Sequence, residues 1–349
     1  MDPINITLVL LPVFFYILLF LKSQNKYIIK GVTYFIPILL VIVMGILLGL
    51  SPYEEGQDKF NYMLEFIGIN DPRESEIGWT LYCSILRALL GSNPLLFFVT
   101  SALVYSFSYL FIGHHLFEKD KIGYFIIMSF GCLGFVGCGN NTIRTGISLS
   151  FIFFGMCFSS KFWIKVLLLF FSILVHKTMI LPIFAFIVST YIKERRVVYL
   201  MWLFCLILSL VSFDIQSLFD RYSAVDERIE KYGNRMGDDD IFGRFRFDFL
   251  VYSIIPIIIG YYWLSKMNIK DFFYNNVYKT YILVNSIWLL VIRMPQCNRI
   301  AYLSWFLIPI ITIYPLLRNQ VRIRNAQTVL VLIIGMFLFV NVVLSFKDS

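Results

Sequence analysis

Charge is what this sequence has least of. Only 15% of its 349 residues are Asp, Glu, Lys or Arg, whereas about a quarter of the residues in a soluble globular domain are charged. Together with 59% hydrophobic residues and a mean hydropathy of +0.77, this scarcity excludes an ordinary soluble enzyme. Apolar runs long enough to cross a bilayer recur from residue 4 to residue 346. We therefore predict a polytopic membrane protein.

Cysteine and histidine are also scarce, with six and three residues respectively. Cys132, Cys157 and Cys205 fall inside apolar runs, and no cysteine pair has metal-ligand spacing, so we predict packing residues rather than disulfides or a metal site. No phosphate-binding glycine loop and no dinucleotide fingerprint occur. We expect no metal and no cofactor. The first apolar run follows MDPIN without a basic leader or a cleavage pattern, so no signal peptide is expected.

The predicted fold is an all-α transmembrane bundle of eleven or twelve spans, forming one integral-membrane domain over residues 1–349. Two long connections interrupt it: 51–93, where we expect amphipathic helices, and 214–246. The predicted spans are 4–21, 32–50, 94–112, 122–139, 141–158, 162–176, 177–193, 197–213, 247–265, 278–292, 299–317 and 326–346.

Lys and Arg concentrate in one alternating set of connections, which predicts that this set faces the cytoplasm. Both termini and both long connections would then lie outside. The net charge of +8 favours anionic lipid or a phosphate-bearing substrate as partner, and we expect no nucleic acid. Arginine dominates the predicted outer side, and its planar guanidinium suits bidentate phosphate binding. Solvated loop charge is the alternative for the long connections.

The stretch GNNTIRTG, residues 139–146, places Asn140, Asn141 and Arg144 between two apolar runs. A charge at that depth is costly and by default marks a substrate path; the alternative is snorkelling to the interface. No carboxylate lies nearby in sequence. We therefore expect the counter-ion of Arg144 to be carried by the substrate, with the two asparagines as neutral hydrogen-bond donors.

Three further segments lie on the same predicted outer side. After the second span, Glu54, Glu55 and Asp58 are candidate proton acceptors, with Tyr62 one helical turn beyond Asp58. The alternative is that these acids only stabilise the N-terminus of a helix through its dipole.

His176 ends the sixth span and is a candidate base or a hydrogen-bond donor to phosphate, although a lone histidine is often structural.

The segment RMPQCNRIAY places Arg293 and Arg299 around a turn, followed by Tyr302; a charged hairpin loop is the alternative. The segment GRFRFDF adds Arg244 and Arg246 as weaker candidates. Aromatic residues are frequent in the segment 53–82 on the predicted outer side, as expected for an interfacial aromatic belt.

In combination, these segments resemble the EpsG family of Wzy-like polysaccharide polymerases over most of residues 50–310. The run N-x-x-x-R-T-G-I-S and the later F-x-x-x-L-V-H-K-T-M-I-L-P resemble two of its elements, with Thr145 where glutamine is common. EEGQDKFNYM resembles its Asp-x-x-x-Tyr element, and ESEIGWTLYCSIL resembles its Glu-Pro-Gly-aromatic element, with Ile77 in place of proline. NRIAYLSWFLIP resembles its late Arg-x-x-x-aromatic element.

The resemblance implies a glycosyltransferase of GT-C-like architecture in the bacterial cytoplasmic membrane. It would transfer a growing chain from a polyprenyl-diphosphate carrier to the non-reducing end of a lipid-linked repeat unit, on the outer leaflet and without a metal. The candidate catalytic residues are Asp58 or Glu55, then His176. The diphosphate-binding candidates are Arg144, Arg299, Arg293, Asn140, Asn141, Arg244 and Arg246, and the sugar-binding candidates are Tyr62, Trp79 and Tyr302.

Other readings stay open at this point. A lipid-linked-oligosaccharide flippase would share the arginines but should need charges midway through its helices. An O-antigen ligase would differ only in its acceptor, and a membrane O-acyltransferase should hold its histidine deeper or inward. Candidate protein partners are a chain-length regulator and a flippase. The unaligned connection 214–246 is where repeat-unit specificity would be expected.

Overall fold

A computed structural model describes residues 3–24, 30–53, 58–70, 76–157, 161–211, 245–294, 296–321 and 323–347. All regular structure in these ranges is helical, which confirms the all-α prediction. The helices are α1 (Pro3–Gln24), α2 (Lys30–Leu50), α3 (Asp58–Ile67), α4 (Ile77–Leu90), α5 (Pro94–Leu116), α6 (Ile122–Phe130), α7 (Leu133–Asn140), α8 (Ile143–Cys157), α9 (Phe162–Val175), α10 (Ile180–Tyr191), α11 (Arg195–Leu210), α12 (Phe247–Tyr261), α13 (Phe272–Leu289), α14 (Asn298–Trp305), α15 (Ile308–Leu317) and α16 (Ala326–Lys347). A 3₁₀ turn precedes α10 (Lys177–Met179), and a π-helical turn extends α12 (Tyr262–Lys266).

Every predicted span coincides with a helix or a pair of helices in this order. Within the described residues, four helical segments are long and apolar enough to cross a membrane, and a bent pair brings the number to five. The other predicted spans lie on shorter or less apolar helices. One of them, α9, has 14 residues, which corresponds to about 21 Å at 1.5 Å per residue. The chain is therefore an all-helical membrane protein with several short helices.

The fourth predicted span is a bent pair of helices rather than one continuous helix. Its two halves, α6 and α7, meet at 71°. The break falls at Gly131 and Cys132, where Cys132 adopts an extended backbone (φ −87°, ψ 136°). Hydropathy could not reveal the bend, since the residues on both sides of it are apolar. The bend also places Asn140 at the end of α7, and α8 begins only at Ile143.

Close packing of α2 on α5 depends on two glycines spaced four apart. A Cβ on Gly45 would lie 2.7 Å from Leu103 Cδ2, and one on Gly49 would lie 2.7 Å from the backbone nitrogen of Val99. Small residues at this spacing let helix backbones approach within a membrane. The contact fixes the C-terminal end of α2, which leads directly into the polar cluster described below.

The helix pair α14–α15 lies at the centre of the bundle, because 89% of its apolar window is buried inside the protein. Polar contacts join the C-terminal ends of α2, α7 and α9 and the N-terminal ends of α3, α8 and α14 at one end of the bundle. At the other end, basic side chains hold the C-terminal carbonyls of helices: Arg318 donates to Leu116 O at 3.1 Å, and Lys279 donates to Ile192 O at 2.8 Å.

A first prediction concerns the α2–α5 contact. Gly49→Ala should destabilise the protein by about 1–3 kcal/mol, because the added methyl group meets the backbone of Val99 and the helices must separate. The matched control is Gly155→Ala, whose Cβ would meet only side-chain atoms of Leu169 and Leu168. Thermal unfolding in detergent should give a clearly larger loss for Gly49→Ala; equal losses would contradict the role of the close contact.

Candidate functional site: a shared carboxylate at one end of the bundle

Glu76 lies at the centre of the polar cluster. It directly precedes α4, and its backbone carbonyl accepts hydrogen bonds from Trp79 N and Thr80 N at 3.0 and 3.2 Å. Gly78 then lets α4 approach the end of α9, because a Cβ there would lie 2.7 Å from the carbonyl carbon of Leu174. This close approach sets the Glu76 side chain beside His176, the residue that ends α9.

The Glu76 carboxylate binds two cationic or ionisable partners. Oε2 forms an ion pair with Nη1 of Arg144, in the first turn of α8, and Oε1 lies 2.8 Å from Nδ1 of His176. The backbone nitrogen of Lys177 also donates to Oε1, at 3.4 Å. The carboxylate side chain is 4% exposed and that of Arg144 is 11% exposed. Two helix termini are thus joined through one buried carboxylate.

These contacts control the protonation of Glu76. Burial raises the pKa of the carboxyl, but the hydrogen bond to His176 and the positive charge of Arg144 outweigh burial and lower the pKa to about 2. Glu76 is therefore ionised at neutral pH. When His176 is neutral, its Nδ1–H donates to this carboxylate, which leaves the lone pair on Nε2.

Arg144 has a counter-ion within the chain, and the expectation that only the substrate would supply one was wrong. The partner lies 68 residues earlier in the sequence, so no local pattern indicated it. Nε of Arg144 is nevertheless buried without a hydrogen-bond partner among the described residues. A buried donor without a partner is uncommon, which makes Arg144 a candidate for further hydrogen bonding to a bound group.

Helix α3 lies between Arg144 and Arg299. Asp58, at its start, forms an ion pair with Nη2 of Arg299 at 3.0 Å. One turn further on, the Tyr62 ring lies 5.8 Å from the guanidinium carbon of Arg144. The predicted one-turn spacing of Asp58 and Tyr62 is confirmed, and it places the two predicted arginines along one short helix.

Lys59 anchors α3 to the end of α2. Its buried ammonium donates to the carbonyl oxygens of Leu48, Gly49 and Ser51 at 3.1, 3.2 and 2.6 Å, and to Ser51 Oγ at 2.7 Å. A cation is favoured there, because the last carbonyls of a helix are unsatisfied and carry partial negative charge. Burial nevertheless lowers the pKa of Lys59 to about 7.

The two predicted asparagines belong to the same network. Asn140 Oδ1 accepts a hydrogen bond from Ser51 Oγ, and Asn141 Oδ1 accepts one from the backbone nitrogen of Lys59 at 3.4 Å. Both asparagines therefore use their side-chain oxygens to hold the ends of α2, α3 and α7 together. They were predicted as donors to a substrate, and the described contacts give them a positioning role.

A second arginine group lies where α11, α12 and α13 end or begin. Arg246 forms a two-point ion pair with Asp248, at 3.0 and 2.9 Å, and its guanidinium carbon lies 3.7 Å from the centre of the Phe249 ring. Arg293 lies over the Phe245 ring at 5.2 Å and donates from Nε to the backbone carbonyl of residue 209 at 3.3 Å.

The predicted sugar-binding aromatics are mostly buried. Trp79 and Tyr62 lie ring to ring at 5.1 Å and are 1% and 3% exposed, and Tyr302 is 9% exposed. Tyr302 also accepts a hydrogen bond from Asn298 Nδ2 at 3.1 Å. Their role in sugar binding stays a prediction, and little ring surface is exposed for it in this structure.

Three predicted residues, Glu54, Glu55 and Arg244, lie outside the described ranges, as does most of the connection 214–246. Sequence reasoning missed Glu76 and Lys59. The one signal for Glu76 was the segment EIGW within the stretch that resembles the family element. In the ranges that the structure describes, no three His, Cys, Asp or Glu side chains come together as a metal-binding group.

The fold and the site define a class: an all-helical membrane protein in which short helices bring arginine, histidine and carboxylate side chains to one end of the bundle. The model of the EpsG family matches residues 34–349. The chain therefore belongs to the EpsG family, a Wzy-like polymerase-type family associated with polysaccharide synthesis. Searches of curated proteins and of solved structures each returned no match.

A second prediction follows from the lowered pKa of Glu76. The group has a pKa of 4.5 when unperturbed and about 2 in the folded protein, so it contributes stability above pH 4.5 that is lost as the pH falls toward 2. Glu76→Gln should remove this component, so that the Tm difference from the wild type narrows as the pH falls from about 5 to about 3. The Tm of both proteins is measured in detergent. A Tm difference that is independent of pH would argue against the buried ion pair.

A third prediction concerns the pH dependence of stability that arises from Lys59. Here stability depends on pH because burial lowers the pKa of an amine. Its pKa falls from 10.5 to about 7 on folding, so the unfolded chain binds more protons between these values and stability rises with pH across that window. Lys59→Met lacks this rise. The Tm advantage of the wild type over the variant should grow from about pH 7 to about pH 9, with Lys119→Met, on the loop before α6, as control. A constant advantage would show that Lys59 does not release its proton on folding.

Proposed function

We propose that this EpsG-family protein is a glycosyltransferase that polymerises polyprenyl-diphosphate-linked oligosaccharide repeat units. It transfers the growing chain from its lipid carrier to the non-reducing end of the next lipid-linked unit, at the outer leaflet of the bacterial cytoplasmic membrane. Both termini and the polar cluster face outward in this proposal. A chain-length regulator and a flippase are its proposed protein partners.

The observation that carries the proposal is the convergence of Arg144 and His176 on Glu76. A reaction that expels a diphosphate needs a cation to receive the developing negative charge. The same reaction needs an acceptor for the proton of the attacking hydroxyl group. Arg144 and His176 supply these two functions within one buried cluster, at helix ends where a lipid-anchored headgroup can lie.

His176 is the proposed general base. The Glu76 carboxylate accepts the Nδ1–H hydrogen bond at 2.8 Å, which fixes the tautomer with the lone pair on Nε2. It also stabilises the imidazolium that forms when Nε2 takes the proton, as the carboxylate does in a Ser-His-Asp triad. The sugar hydroxyl transfers its proton to Nε2 while its oxygen forms the new bond to the anomeric carbon.

Arg144 is the proposed receptor for the leaving group. The bond from the anomeric carbon to the diphosphate oxygen breaks with its electron pair on that oxygen, and the charge of the polyprenyl diphosphate increases. The guanidinium has a buried Nε without a partner among the described residues, and donation from it to a phosphate oxygen is the proposed contact. Removing one preorganised donor of this kind typically costs about a hundred- to a thousandfold in rate.

The site geometry favours His176 over Asp58, which was the first choice from sequence. The Asp58 carboxylate is engaged by Arg299 at 3.0 Å, whereas the Nε2 atom of His176 lies on the side of the ring away from Glu76. Asp58 is proposed instead to hold Arg299 beside α3. The other early choice, Glu55, lies outside the described residues and is tested together with Asp58 below.

The proposed reaction is tested with purified protein and synthetic lipid-diphosphate repeat units. The wild-type protein should form polymer whose length increases with time, equally well with and without a chelator. Transfer only to an acceptor without a lipid diphosphate would support the ligase alternative. Transport of lipid-linked units without any coupling would support a flippase, and either result would overturn the proposal.

A fourth prediction assigns the roles within this assay. Arg144→Gln and His176→Gln should each lower the coupling rate by about a hundredfold or more, because each removes a group that acts in the transition state. Asp58→Asn and Glu55→Gln should retain more activity than His176→Gln. The control is Arg87→Gln, since Arg87 lies on α4 outside the cluster and contacts the Phe66 ring. Full activity of His176→Gln would exclude it as the base.

A further inference from the structure

Two arginine groups lie at the same end of the protein, and they differ in chemistry. The first contains Arg144 with His176 and Glu76, all at most 13% exposed in their side chains. The second contains Arg246 and Arg293 on phenylalanine rings, and the Arg246 side chain is 31% exposed. The mechanism above uses only the first group, so the second requires an explanation of its own.

Among the residues that the structure describes, the second group contains two arginines and no histidine. All three histidines of the chain lie elsewhere, since His176 binds Glu76 and the other two are in the last turn of α5. The carboxylate of the second group, Asp248, accepts two hydrogen bonds from Arg246 and one from the backbone nitrogen of Phe249 at 3.0 Å. Its described side chains are therefore suited to bind an anion.

Both groups lie near the start of α14, the helix that carries Arg299. Arg299 pairs with Asp58 on α3, the helix whose Tyr62 ring lies beside Arg144. On its other side, Arg299 follows Cys297 by two residues. Burial raises the pKa of the Cys297 thiol to about 11, and the nearby Arg246 guanidinium opposes that rise. The first and second groups therefore flank the start of α14.

The proposed coupling reaction involves two diphosphates in each cycle. The donor's diphosphate leaves and gains charge in the transition state, so it needs donors close to the base. The acceptor's diphosphate stays attached to the product and its charge does not change, so it needs binding alone. Both headgroups are tethered to lipid, and both must therefore lie at the same end of the bundle.

We propose that Arg246 and Arg293 bind the diphosphate of the acceptor unit, while Arg144 binds that of the donor. The inference rests on the proposed function and adds the assignment of each arginine group to one substrate. Cation–π contacts with Phe249 and Phe245 help to hold the two guanidinium groups in place, and a planar guanidinium can donate two hydrogen bonds to one phosphate. Arg246 exchanges part of its pairing with Asp248 for the phosphate when the acceptor arrives.

The fifth prediction uses two substrates that cannot exchange roles. The donor has its non-reducing hydroxyl group blocked, and the acceptor has a methylene group in place of the oxygen between sugar and diphosphate. The Arg246→Gln/Arg293→Gln double variant should raise the KM for the acceptor by about ten- to a hundredfold, as expected for lost hydrogen bonds to a charged group. Its kcat and donor KM should stay within about twofold of the wild type, because the second group takes no part in the transition state.

The contrasting variant and the control make the result specific. Arg144→Gln should lower kcat with little effect on the acceptor KM. Arg87→Gln should change neither constant, although Arg87 also lies over a phenylalanine ring, at 5.7 Å from the centre of Phe66. A double variant that raises the donor KM, or that lowers kcat alone, would overturn the assignment.

A binding measurement keeps the inference testable without turnover. The wild-type protein in detergent should bind two equivalents of the methylene-linked analogue, and the double variant should bind one. If the two proteins have the same Tm and bind the same number of equivalents, that result would contradict a second diphosphate site. Two-site binding without coupling would instead overturn the proposed reaction and leave the two-site inference supported.

Discussion

The site depends on one buried carboxylate with two partners. Glu76 binds Arg144 and His176 at once, and the three side chains come from the ends of three different helices. A buried arginine without a counter-ion would be costly, and so would a buried carboxylate without donors. Each group therefore makes the burial of the others tolerable. The same contacts determine the chemistry, because they keep Glu76 ionised and set the tautomer of a neutral His176.

The surrounding structure serves to hold this cluster in place. Gly78 allows α4 to reach the end of α9, and Lys59 joins the start of α3 to the last carbonyls of α2. Asn140 and Asn141 bind the same junction from α7. Short helices and a bend of 71° between α6 and α7 bring these ends together. Polar side chains join helix termini here, while close apolar packing joins the helix bodies.

Much of the fold could be predicted, because a long apolar run predicts a membrane helix from its own residues, independently of the helices that pack against it. Arg144, His176 and Arg299 were also expected at one end, and the structure brings them to one end. The pairing of Arg144 with Glu76 could not be predicted, since the two are 68 residues apart and no periodicity connects them. Lys59 looked like an ordinary loop lysine, because its burial depends on α2 and α5. The bend at Gly131 could not be predicted from hydropathy, because the residues on both sides of it are apolar.

A double-mutant cycle on Glu76 and Arg144 tests the shared carboxylate most directly. Thermal unfolding in detergent is measured for the wild type, Glu76→Gln, Arg144→Gln and the double variant. If the ion pair is buried as described, each single variant leaves one charge without its partner, and the double variant loses less stability than the sum of the two. The coupling should be about 1 kcal/mol or more. Additive losses would contradict the account.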